Sequence, residues 1–282
     1  MYEETGNANL IMLLHTAVYP ILAALVATWL TTKWKPCVTP LGFVVGFLAG
    51  LIVIHTGLHF PPERAMDFLV ISALLGLVAI VAAYKLETDK LKIIATFALL
   101  IVSYYLLLNP VLKHQGTTTS IAWAILSGFA TVVICTLITH KNYGKTNHLP
   151  MLSIVIASAA SSPVMSIGGS LLIGQLLGAV AAAGFGYLAI CFFTKTDSSK
   201  GVIPSLFVLG GLLTQSHVLA DLPLWVIVAL GLTPIASLIG SRICEQDSSI
   251  KSLIIGALPN VICAGVVAGV CLWQVWPESS LY

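Results

Sequence analysis

Charge is what this sequence has least of. Asp, Glu, Lys and Arg make up 9% of its 282 residues, while 58% are hydrophobic. A soluble globular domain carries roughly a quarter charged residues, so this chain cannot cover an ordinary core with a polar surface. The net charge of +2 gives no reason to expect a nucleic-acid partner. The little charge present also avoids the apolar runs. Every Asp, Glu, Lys and Arg falls in a connection or within about one helical turn of a run's end. Ion-coupled carriers and proton pumps usually keep an ionisable group inside the membrane, where its expense is offset by function. Here the deep polar inventory is histidine, Gln175, Asn260 and hydroxyls, which argues against a proton- or sodium-driven carrier.

Other absences narrow the field further. The cysteines Cys37, Cys135, Cys191, Cys244, Cys263 and Cys271 form no Cys-x-x-Cys pair, so neither a disulfide framework nor a zinc knuckle is expected. There is no Gly-rich phosphate loop, no His-Glu-x-x-His and no Gly-x-Ser-x-Gly turn. No pair of intramembrane aspartates is available for an aspartic protease mechanism. The acidic start, Met-Tyr-Glu-Glu, lacks the basic region of a signal peptide, so the first apolar run is expected to remain as a helix. No Asn-x-Ser/Thr sequon occurs, which fits a bacterial plasma (inner) membrane.

What is present is a series of apolar runs of the length a bilayer requires, about 20 residues. They cover 10–32, 41–60, 66–84, 92–109, 120–139, 150–164, 169–194, 202–220, 222–243 and 252–275. The fold class expected is therefore all-α, one polytopic membrane domain of ten transmembrane helices. The sixth run is short, Ser/Ala-rich and closed by Ser161-Ser162-Pro163, so it is the one that could be re-entrant or merge with the seventh. The positive-inside rule supports ten. With that count Lys33, Lys35, Lys85, Lys90, Lys92, Lys141, Lys145, Lys195, Lys200, Arg242 and Lys251 share one side, leaving Arg64 and Lys113 opposite. Both termini are then extracytoplasmic. Trp29, Trp34 and Tyr84 fall at inner ends, and Trp123, Trp225, Trp273 and Trp276 at outer ends, as expected for interfacial rings.

Small residues mark where helices touch. Ser170, Gly174, Gly178, Ala182 and Gly186 recur every fourth position, with a shorter series at Gly42, Gly46 and Gly50. Ala264/Ala268 and Gly265/Gly269 offer two more pairs. Such stripes allow close backbone approach, either within the chain or to a partner subunit. Pro20, Pro234 and Pro259 sit deep in their runs and free the carbonyls of Thr16, Leu230 and Ile255. These positions are expected to be kinks or cavity walls, and Asn260 follows the last of them directly.

The candidate ligands are histidines. His55 and His59 are one turn apart before Pro61-Pro62, which should end the second helix. With His217 and Asp221, or Glu63, Asp67 or His114, they could form a metal site. With His15 or His217 opposite His55, they could hold a haem. The plainer expectation is that they are polar tips at the membrane boundary and that no cofactor is held. The functional classes follow in order: a non-enzymatic accessory subunit of a larger membrane complex, a small-solute transporter or facilitator, and a haem- or metal-binding redox protein. Lipid and other membrane subunits are the partners expected.

Overall fold

The computed structural model describes residues 9–34, 38–59, 61–139, 148–243 and 250–276. Regular structure in these residues is all helical. In chain order the helices are α1 (Asn9–Trp34), α2 (Leu41–Ile54), α3 (Phe68–Lys85), α4 (Asp89–Leu112) and α5 (Thr117–Thr139). They continue with α6 (Leu149–Gly168), α7 (Leu171–Phe193), α8 (Val202–Ala220), α9 (Leu224–Ile243) and α10 (Ile250–Val275). All except α2 are long and apolar enough to cross a membrane. The 14 residues of α2 span only about 21 Å, less than the roughly 30 Å hydrocarbon layer.

Contacts between connections show that successive loops fall at alternate ends of the bundle. At one end Gly169 leaves no room for a Cβ beside Leu222 and Ala220, and Gly168 none beside Val275. At the other, the Tyr187 hydroxyl donates to Ser198 O (3.4 Å), His148 Nδ1 bonds Ser198 Oγ (3.0 Å), and Lys200 Nζ lies 5.4 Å from the Tyr84 ring. The second end carries Lys33, Lys85, Lys195, Lys200, Arg242 and Lys251, and is called the basic end below. Lys35, Lys141 and Lys145 lie outside the described residues.

Helices α7 and α8 are the most enclosed, and α1 and α10 the most exposed. Helix α7 packs on α1, α2 and α6, whereas α8 packs on α3, α4 and α5. Pairings recur at a five-helix interval: α1–α2 with α6–α7, and α4–α5 with α9–α10. The halves are not equivalent, because α6 packs broadly on α10 while α1 and α5 make no comparable contact.

Two of the small-residue stripes, on α2 and α7, are closed within the chain. Gly46 faces Ala24 Cβ and Pro20 O of α1, and a Cβ there would come to 2.6 and 2.8 Å of them. Gly50 is pressed between Pro20 and Ala179, and Gly42 against Thr28. On α7 the stripe changes partner along its length. Ser170 caps the helix by accepting from Ile173 N, Gly174 meets Ser162 and Ser166 of α6, and Gly178 lies between Ser162 and Thr16. Ala182 is buried, and Gly186 rests on Ile21 O and Ala24 of α1.

The prolines behave differently from one another. A π-turn, Leu14–Val18, precedes Pro20, a widening that absorbs the missing donor. At Pro234 helix α9 tightens into a 3₁₀ turn, Thr233–Ala236, and the freed Leu230 carbonyl accepts from the Thr233 hydroxyl at 2.7 Å. Pro259 does not interrupt α10. Nor does Pro163 end α6, which runs on through Gly168 for a full 20 residues rather than closing at 164. Serine hydroxyls hold this stretch: Ser166 Oγ donates to Ser162 O (2.9 Å) and Ser162 Oγ to Gly174 O (2.8 Å).

Candidate functional site

The end opposite the basic one gathers the candidate residues, but not as the sequence pairs them. Helix α2 stops at Ile54 rather than running to 60, and His55 leaves helical geometry at φ −111°, ψ 81°. His55 and His59 therefore do not share a helix face. The physical reason is Asp67. Its backbone begins α3, but its carboxylate turns away from that helix to collect main-chain donors from the preceding connection. Oδ1 accepts from His59 N (3.4 Å), and Oδ2 from Glu63 N (3.3 Å) and Arg64 N (3.0 Å). A side chain offering such bonds competes directly with continued helix. The result is a strap, residues 55–59 and 61–67, folded over the ends of α2 and α3.

Asp67 is buried, at 3% exposure, which raises the cost of its charged form. The N–H groups of Arg64, Glu63 and His59, with the His55 charge, outweigh that burial and hold the carboxyl below its ordinary value. His55 Nε2 lies 3.9 Å from Asp67 Oδ1 and has no hydrogen-bond partner. His59 Nδ1 bonds its own loop at Gly57 O, 2.6 Å away. Helix α8 pins the strap from below: Gln215 Nε2 donates to Ala65 O at 3.3 Å, leaving Gln215 Oε1 buried and unpartnered.

His217 lies two residues beyond Gln215, about 200° around the helix, so it faces away from the strap. Its Nδ1 is 2.6 Å from Leu222 O, and its ring sits 4.9 Å from that of Trp123 on α5. Asp221 takes a left-handed conformation (φ 50°) just beyond α8, is exposed, and is not the partner of His217. Thus His55, His59, His217 and Asp221 each have a separate setting. His15 packs on Tyr19 of its own helix, with ring centroids 5.8 Å apart. Among the described residues no three His, Cys, Asp or Glu side chains converge where they could hold a metal ion.

On the His217 side of α8 the bundle opens. Helix α5 and the first half of α9 approach each other only near the Pro234 turn, which leaves a crevice of about 230 Å³ above α8. Its floor is α8 from Leu206 to His217, and its walls include Trp123, Thr131, Ile227 and Gly231. Exposed Leu126 and Val228 flank it, so it opens sideways toward the surrounding apolar medium. The sequence placed Trp123 only as an interfacial ring. The spacing of Ser127 and Thr131, with Thr214 and His217 on α8, was the available signal, but hydroxyls in apolar helices usually bond their own backbone and so mark nothing by themselves.

A second hydroxyl group ties α8 to its neighbours at depth. Tyr104 OH is 3.0 Å from Thr131 Oγ1 and donates to Leu206 O at 3.2 Å, while Ser103 Oγ donates to Ser72 Oγ and Ser72 Oγ to Phe207 O. Gly210 makes room for this, since a Cβ would strike the Tyr104 hydroxyl and Thr131 Oγ1. The remaining candidate, Asn260, is buried and donates to Ser153 O of α6 at 3.2 Å, with its Oδ1 unpartnered. Pro20 and Pro234 are also buried. No family model matches the chain, and no curated protein matches it.

Proposed function

We propose that this membrane protein is a non-enzymatic accessory subunit that docks to another membrane protein through α10. The observation carrying this reading is how α10 divides its small residues. Ser252, Gly256, Asn260, Ala264, Ala268 and Cys271 are buried and form the face turned to the rest of the bundle. Gly265 and Gly269 point the other way, and a Cβ on either would meet nothing within 4 Å. They lie among exposed Val261, Ile262, Val266, Val270 and Trp273. Glycine in a helix interior costs about 1 kcal/mol relative to alanine, and among the described residues nothing uses the space it leaves. A GxxxG pair facing outward is the geometry by which a second membrane helix approaches closely. The charge asymmetry supports both termini lying outside a bacterial plasma membrane.

The transporter reading calls for a polar cavity near Pro20, Pro234 and Asn260. In the described residues Pro20 is packed against Gly46 and Gly50, and Asn260 against Ser153. A redox role would rest on histidines that do not converge among the described residues.

The test is photo-cross-linking in native membranes from a benzophenone attached to single cysteines at Ile262 and Val266, with wild-type and Gly265→Leu/Gly269→Leu chains. A discrete heteromeric product is expected, lost in the double leucine variant while its thermal unfolding stays unchanged. A chain that remains monomeric under cross-linking, and runs as a clean monomer in mild detergent, would defeat the reading.

A further inference from the structure

The crevice between α5, α8 and α9 has the composition of a binding site for one hydrocarbon chain with a polar tip. Its hydroxyls are already engaged by the protein. Ser127 Oγ donates to Trp123 O (2.6 Å), Thr131 Oγ1 to Ser127 O (2.8 Å) and Thr214 Oγ1 to Gly210 O (2.7 Å). The interior is therefore chemically close to hydrocarbon, and no Asp, Glu, Lys or Arg lines it.

His217 is the exception, and its position is informative. It stands at the crevice end away from the basic end, one turn from the end of α8. Leu222 O can only accept, so His217 Nδ1 carries the proton in that 2.6 Å bond. In the tautomer that this bond selects, Nε2 is a lone pair, and among the described residues that atom has no hydrogen-bond partner. The crevice thus offers one acceptor at the boundary and an apolar trough below it. From Trp123 to Ile134 the trough runs about 16 Å along α5.

Gly231 keeps the trough open. A Cβ at this position would meet only Leu213 Cδ1 at an ordinary 3.6 Å, so the absence of a side chain is not demanded by packing. This differs from Gly210 in the floor, where a Cβ is excluded.

We infer that the crevice binds a membrane-resident amphiphile with a single hydrocarbon chain and a neutral hydroxyl head, the hydroxyl donating to His217 Nε2. The volume of about 230 Å³ exceeds the roughly 150 Å³ of an apolar cavity that accepts benzene, but is too small for the paired chains of a phospholipid. A carboxylate head could not donate to that lone pair, and no Lys or Arg lines the crevice. An ammonium head would meet no anion. A neutral donor matches both the lone acceptor and the uncharged walls.

The experiment uses the full chain in mild detergent and a photoactivatable long-chain alcohol carrying a diazirine near its tail. Labelling of peptides containing Leu206 or Ile134, at the trough end away from His217, should saturate, and dodecanol should compete about tenfold better than dodecyl methyl ether. That ratio is what one hydrogen bond is worth, and it is read on the wild-type protein. His217→Phe should bring the ratio to about one, and Gly231→Leu should remove saturable labelling. Non-saturable labelling, or equal competition by the alcohol, its ether and the matching carboxylic acid in wild type, would overturn the assignment. So would displacement of the probe by phosphatidylcholine as readily as by dodecanol.

Discussion

Replacing Asp67 by alanine should release the 55–67 strap without unfolding the bundle. The carboxylate receives three main-chain N–H bonds, of 3.0, 3.3 and 3.4 Å. Two of these are long, so each contributes about 1 kcal/mol rather than the higher values typical of ionised acceptors. The strap should therefore open more easily by about 2–3 kcal/mol in Asp67→Ala, because removing the acceptor leaves three donors unpaired. At 1.4 kcal/mol per factor of ten, this is about 30- to 150-fold faster amide exchange for His59, Glu63 and Arg64. Asp67→Asn keeps one oxygen and most of the shape, so about fivefold is expected, equivalent to roughly 1 kcal/mol. Because the carboxyl is held below its ordinary value, the stability it confers is fully present above about pH 4, the unfolded value. It is lost as pH falls through the depressed folded value. Hydrogen exchange with mass spectrometry in detergent measures both effects, and α7 peptides provide an internal reference. Wild-type exchange rates for residues 59–64 in Asp67→Ala would refute the account of the strap.

Thr233→Val should cost less than about 1 kcal/mol, since the Leu230 carbonyl freed by Pro234 loses the Thr233 hydroxyl but keeps the Thr233 N–H; a fall of no more than a few degrees in thermal unfolding would register it. Gly46→Ala should destabilise by about 1–3 kcal/mol through overpacking against Ala24 and Pro20, whereas Gly265→Ala should be neutral or slightly stabilising, and the two melting curves compare them directly. Gln215→Leu should disturb the strap but leave the crevice unchanged, because Gln215 donates to Ala65 O on the face opposite His217; accelerated exchange confined to residues 55–67 is the expected reading.

Composition and periodicity made most of the helices legible, because an apolar run of membrane length has few other structures open to it. The paired fates of Ala264 and Gly265, one inward and one outward, were half legible: both pairs were visible, but not their directions. Pro163 was misleading, since a proline after two serines looks like a helix end in water. In the bundle α6 runs on through Gly168, and Ser162 Oγ ties the stretch beside the proline to Gly174 O of α7. The early end of α2 was hidden for a different reason. Pro61-Pro62 is a strong local stop, but the carboxylate that stops the helix sooner sits on the start of the next helix. The crevice was not legible either, because it exists through the divergence of α5 from α9. No single segment encodes that angle.

Glycine shows why site reasoning here needs environment as well as sequence. Gly46, Gly231 and Gly265 all sit within apolar helices. Gly46 closes an interface, because a Cβ there would meet a proline carbonyl and an alanine on the facing helix. Gly231 leaves a trough, with ordinary clearance to one leucine side chain, and Gly265 leaves an outward surface with nothing near it. Alanine should therefore be unfavourable at the first and tolerated at the other two, where it gains helix propensity of up to about 1 kcal/mol. Leucine separates the latter pair: at Gly231 it should displace the bound chain, and at Gly265 it should displace the partner. If both leucine variants retained the wild-type fold, amphiphile occupancy and cross-linked product, neither opening would have a role. If each lost only its own readout, the two openings would be independent sites on the same framework.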